Sequence, residues 1–140
     1  MTWDVVYHRR IDDSVPSLDF LRACPTNVRA TMLAVLEAVA AAPPPRFSGG
    51  GLWEAMHGDM HGYYEVRKQG APNRSQYRLF CRLENPGEEE LERLGLPRPA
   101  IAVITGLHKP WMTTFADADY TAVRVIGDEY LAEIPRRIAE

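Results

Sequence analysis

Cysteine is scarce. The chain has two, Cys24 and Cys81, far apart and without a CxxC or Cys/His spacing. That argues against a disulfide-stapled scaffold and a zinc ribbon, and both fall at apolar positions, as expected of reduced core thiols in a cytoplasmic protein. Long hydrophobic runs are also missing. The longest, around Met32 to Ala42, is broken by Glu37 and followed by three prolines. It is too short and too polar to cross a bilayer, so no membrane association is expected. The opening MTWDVVYHRR lacks the apolar core of a secretion signal. There is no internal repeat and no low-complexity tract. His57, His61, His108 and Asp59 match no compact metal site, so neither metal nor cofactor is expected. Nor is there an excess of positive charge. The 16 basic and 19 acidic residues give a net charge of −3, which does not mark the chain as a nucleic-acid binder when taken whole.

What is present is the composition of one globular domain spanning residues 1–140, with 46% apolar and 25% charged residues. The charges are unevenly placed. Residues 57–82 carry Arg67, Lys68, Arg74, Arg78 and Arg82 against Asp59 and Glu65, whereas residues 83–100 hold the glutamates of NPGEEELERLGLPRP. The basic stretch, HGDMHGYYEVRKQGAPNRSQYRLFCR, reads as a β-hairpin. Strand side chains alternate between faces. Tyr64 and Val66 point one way, and Tyr63, Glu65 and Arg67 the other, with His61 on that second face. Tyr77, Leu79 and Cys81 share one face of the second run; Gln76, Arg78, Phe80 and Arg82 share the opposite one. Gly70, Pro72 and Asn73 supply the turn. Burying the apolar faces together brings Arg67, Arg78 and Arg82 side by side, a geometry suited to phosphate oxygens.

Around this hairpin the chain reads as follows. Residues 3–8 alternate as a strand. Ser17 opens a short helix that Pro25 separates from a second, where Val28, Met32, Val35, Leu36 and Val39 recur at helical spacing. The prolines at 43–45 end it, and SGGG at 48–51 is a connector. Trp53 and Trp111 read as packing anchors. Residues 85–99 read as a surface loop with helix around Glu88 to Leu94. AIAVITGL (100–107) suits a strand buried on both faces. His108 follows as a solvent-facing strand end, and Asp117 or Asp119 caps a final helix carrying Tyr120, Val123, Gly127 and Tyr130 on one side. The predicted class is α+β: a small, mostly antiparallel sheet in the order β-α-α-β-β-β-α, with helices on one face and the other partly open.

Three segments carry a family resemblance. MHGDMHGYYEVR (56–67), YRLFCRL (77–83) and ITGLHKPWMTTFADADYTAVR (104–124) resemble, in order and approximate spacing, strands and a terminal helix of the RelE/ParE toxin superfamily, nearest its HigB-like, phage-derived members. The resemblance covers most of the chain and implies a RelE-like fold. It also implies the toxin of a type II toxin–antitoxin module, an endoribonuclease that cuts messenger RNA on the ribosome and is neutralised by a cognate antitoxin. The chemistry would be attack of a ribose 2′-OH on the adjacent phosphate.

The resemblance assigns the phosphate clamp to Arg78, with Arg67 and Lys109 as further cationic groups. Glu65, His61 and His57 are candidates for the general base. Tyr63 and Phe80 would stack on unpaired bases, and Lys68 and Arg82 would contact RNA. The sequence departs from the best-studied RelE enzymes at Tyr63 and Glu65, where they carry lysines, and at Pro110, where they carry a second basic residue. Glu65 could equally form a cross-strand ion pair with Arg78. Two other readings remain: a ParE-like, non-catalytic inhibitor of DNA gyrase, and a degenerate, non-toxic interaction module.

Overall fold

The computed structural model describes residues 2–42 and 51–139. The expected proline stop at 43–45 lies outside the described residues, as does most of the 48–51 connector.

The described chain runs through β1 (Asp4–Tyr7), α1 (Pro16–Ala23), α2 (Thr26–Ala41), β2 (Trp53–Ala55), a 3-10 turn at Gly58–Met60, β3 (Tyr63–Gly70), β4 (Ser75–Glu84), α3 (Glu88–Leu94), β5 (Ala100–Lys109) and α4 (Asp117–Ala132). It is α+β, and its sheet is five-stranded in the order β1-β5-β4-β3-β2. β1 runs parallel to β5, and the other neighbours are antiparallel. Two elements extend the expected order. The approach to the hairpin pairs as β2, and the acidic segment forms a full helix, α3. Gly95 ends α3 with a positive φ of 74°, and the Leu96 N–H donates back to the Leu91 carbonyl at 2.9 Å.

The larger departure concerns layering. Helices cover both faces of the sheet. α1 begins at Pro16, a residue pre-set for the first helical turn. α2 buries Val28, Met32, Val35, Leu36 and Val39, the residues its period marks. Together they pack on the face bearing Val66, Tyr77, Leu79, Cys81 and Val103. α1 comes so close to β5 that a Cβ on Gly106 would lie 2.2 Å from the Phe20 ring.

On the opposite face α4 packs Val123 and Tyr130 against Tyr63, Phe80, Ala102 and Ile104. Its Gly127 is required: a Cβ there would sit 1.8 Å from the Tyr63 hydroxyl oxygen. The capping of α4 is also specific. Asp119, at the third helical position, reaches back to accept the Ala116 N–H at 2.8 Å. β5 is thus apolar on both faces because a helix lies on each.

After α4 the chain turns back along β1. The Arg9 N–H donates to the Arg137 carbonyl at 2.9 Å, and the Ala139 N–H to the Tyr7 carbonyl at 2.8 Å. A buried triad fastens this return: Tyr130 Oη and Arg136 Nε each donate to Glu84 Oε2 at 2.8 Å. Leu91, Leu94 and Leu96 close against Ile138. The acidic insertion is therefore a packed corner whose glutamates face outward.

Candidate functional site

The α4 face of the sheet is built in rungs, because residues paired across antiparallel strands project to the same side. Tyr63 pairs with Arg82. The next rung is Glu54, Glu65, Phe80 and Thr105; then come Arg67, Arg78 and Leu107, and then Gln69, Gln76 and Lys109. α4 roofs the first two rungs. Over the last two lies a polar groove of about 460 Å³, lined by Gly51, Leu52, Arg67, Lys68, Gln69, Gln76 and Arg78.

Arg67 and Arg78 stand directly opposite each other. The Arg67 charge disfavours the Arg78 guanidinium, and Glu65 on the preceding rung lies against both. Its Oε1 lies 3.6 Å from Arg67 Nε and 3.9 Å from Arg78 Nη1. The cross-strand ion pair read from the sequence is present. Glu54 takes the other side of Arg67 at 2.9 Å, and Arg78 Nη2 donates to Gln76 Oε1 at 3.0 Å.

Burial differs along the cluster. The Arg78 and Glu65 side chains are 14% and 13% exposed, that of Arg67 38%. Burial pushes the Glu65 carboxyl above its ordinary range, against the pull of Arg78 and Arg67. Burial likewise lowers the Arg78 guanidinium, with Glu65 opposing. Desolvation thus exceeds the attraction on both partners.

Several expectations change here. Phe80 is fully buried and Tyr63 is 3% exposed, both beneath α4, so neither can stack on a base. Arg82 lies under the same roof edge, its guanidinium 4.7 Å from the centre of the Tyr63 ring, and does not join the arginine pair. Lys68 pairs with Tyr77, on the strand parity of the α1–α2 face, and still borders the groove. Lys109 does share the site's face, but its Nζ is held 3.1 Å from Asp119, which lowers that carboxyl after the backbone N–H of Ala116.

His61 is not on the strand. It closes the 3-10 turn, exposed, two residues before β3 begins at Tyr63. Tyr63 itself stands roughly 13 Å along the strand from Arg67 at normal rise, so His61 is out of reach of the groove. His57 begins the same turn. Among the described residues no three His, Cys, Asp or Glu side chains gather as a metal site, and no helix is long and apolar enough to cross a membrane.

Sequence reasoning missed Gln76, Glu54, Phe115 and Tyr120. Gln76 bridges Arg78 to the loop after β5. The Phe115 ring lies 5.4 Å from the Arg78 guanidinium. The Tyr120 hydroxyl is raised first by burial and then by Glu65. Gln76 and Glu54 were findable by register; the two aromatics come from a loop and helix whose docking no local pattern announces.

Comparison with protein-family models, with curated proteins and with solved structures finds no match for this chain.

Proposed function

We propose that this chain is the toxin of a type II toxin–antitoxin module, an endoribonuclease that cuts messenger RNA on the ribosome until an antitoxin neutralises it. One observation carries the reading: Arg67 and Arg78 face each other across β3 and β4 beside a polar groove, with the largely buried Glu65 carboxylate against both. The resemblance of residues 56–67, 77–83 and 104–124 to RelE/ParE toxins of the HigB-like type points the same way.

In this reading an RNA phosphate settles in the groove and takes up the Arg67 and Arg78 donors. The exposed Arg67–Glu54 pair is worth only about 0–1 kcal/mol, so phosphate can replace the carboxylate. Its two non-bridging oxygens, which share one negative charge, then balance the cationic charge that Glu65 alone leaves over. Glu65 accepts the proton of the 2′-OH; its raised carboxyl is a better-matched base at neutral pH than an ordinary glutamate. The 2′ oxygen bonds to phosphorus as the bond to the 5′ oxygen breaks, that oxygen takes a proton from solvent, and the strand ends in a 2′,3′-cyclic phosphate. The guanidiniums stabilise the charge that grows on the phosphoryl oxygens. Lys109 serves the leaving oxygen only if Asp119 releases it.

Changing Arg78 to Ala should abolish growth arrest on expression and reduce codon-linked cuts in a translating extract by at least about a hundredfold. Wild-type protein that arrests growth yet leaves messenger ends unchanged would end the nuclease reading. The near balance of two arginines by Glu54 and Glu65 favours a second reading, a protein that binds without cutting. Inhibition of gyrase supercoiling without ribosomes, or pairing with a partner without toxicity, would select it.

A further inference from the structure

The chain has three tryptophans, and one of them is left in solvent. Trp3 and Trp53 are 9% and 4% exposed, whereas Trp111 is 44% exposed, beside Met112 at 80%. Trp111 is nonetheless held in place. The Arg74 guanidinium carbon lies 3.9 Å from its ring centre. This pair lies beyond the last rung of the groove, in the hairpin turn and the loop after β5. Gln76 faces Lys109 across β4 and β5, and Arg74 and Trp111 each lie two residues farther on. Gln76 also ties the loop to the cluster: its amide nitrogen donates to the carbonyls of Thr113 and Pro110, and its oxygen accepts from Arg78.

We propose that Trp111, backed by Arg74, is a nucleobase-stacking platform for single-stranded RNA whose phosphate lies between Arg67 and Arg78. The inference rests on the RNA-cutting reading and names the subsite that reading lacks, since Tyr63 and Phe80 are buried. An indole offers a π-face to any base, and its stacking is sequence-tolerant. A guanidinium on the ring strengthens the platform and meets the adjoining phosphate. The alternative occupant is a protein, because Trp and Arg are common anchors of protein interfaces. The surroundings favour RNA: the neighbouring rungs present Gln69, Gln76, Arg67 and Arg78, a polar track of hydrogen-bond donors whose arginines are held by Glu54 and Glu65, rather than an apolar pocket.

The test uses the intact protein and an oligoadenylate of about 12 nucleotides, with polyphosphate as a base-free polyanion. Oligoadenylate should quench the solvent-accessible tryptophan emission, and polyphosphate should not. By anisotropy of labelled RNA, Trp111→Leu should raise Kd about tenfold and Trp111→Phe less than about threefold, because phenylalanine still stacks. Polyphosphate affinity should be unchanged in both. Trp111→Leu that binds oligoadenylate like the wild type, or that loses polyphosphate to the same degree, overturns the platform. So does a Trp111→Leu protein that keeps RNA but escapes its antitoxin, which would assign the ring to a protein contact. The two proposals fail separately. If Arg78→Ala abolishes cleavage while Trp111→Leu binds RNA normally, only the platform falls; if Arg78→Ala still cuts messenger RNA, the catalytic assignment falls.

Discussion

Glu65 is the residue on which the site's chemistry turns. Its carboxyl is raised by burial more than Arg78 and Arg67 lower it, so folding favours the protonated form. The stability it gives is full below the ordinary carboxylate range and is lost as pH rises through the raised value. Glu65→Gln removes that loss. The variant should therefore gain stability relative to wild type as pH rises above the ordinary carboxylate range, measured by urea melts at each pH. A difference that stays flat with pH would contradict the buried, reluctantly ionised carboxyl. In the nuclease reading the same variant should cut messenger RNA at least about a hundredfold more slowly. At this scale the sequence was informative where parity decides. Alternation put Glu65, Arg67 and Arg78 on one face, and the pairing of Arg67 with Arg78 follows from the turn at residues 71–74. Alternation is silent on what lies above that face, which is why Tyr63 and Phe80 read as exposed stacking residues.

Among the elements, α4 does the most to define the site, by stopping where it does. It reaches the sheet through Gly127 against Tyr63, a contact with no room for a methyl group. Gly127→Ala should cost about 2–3 kcal/mol in denaturant melts, the range for forcing an extra carbon into a packed interface. Tyr63→Phe should recover only part of the loss, since the ring carbon Cζ would still lie 2.8 Å from the new methyl. Full tolerance of Gly127→Ala would mean that α4 does not roof the hairpin as described. The apolar face of this helix was legible from Tyr120, Val123, Gly127 and Tyr130. Its partner was not, because a helical stripe specifies that something is covered without saying which side of a sheet receives it. The parallel pairing of β1 with β5 was hidden for a related reason: it joins segments nearly a hundred residues apart and leaves no turn signal in the sequence.

For the whole molecule, the two layers of helix divide the work. α1 and α2 close one core over Val66, Leu79, Cys81 and Val103; α4 and the returning tail close the other over Phe80, Ala102 and Ile104. Among the described residues the sheet is buried at its centre, and a polar groove lies at the end where Arg67, Arg78 and Gln76 meet. The division also gives the protein two internal clocks. Cys81 is fully buried mid-sheet and Cys24 is 6% exposed where α1 meets α2, and burial raises both thiols, so neither is a ready nucleophile in the native state. A maleimide pulse without denaturant should tag Cys24 when α1 alone lifts, and Cys81 only when the whole α1–α2 layer leaves the sheet. Equal tagging rates would mean that α1 and α2 open as one body.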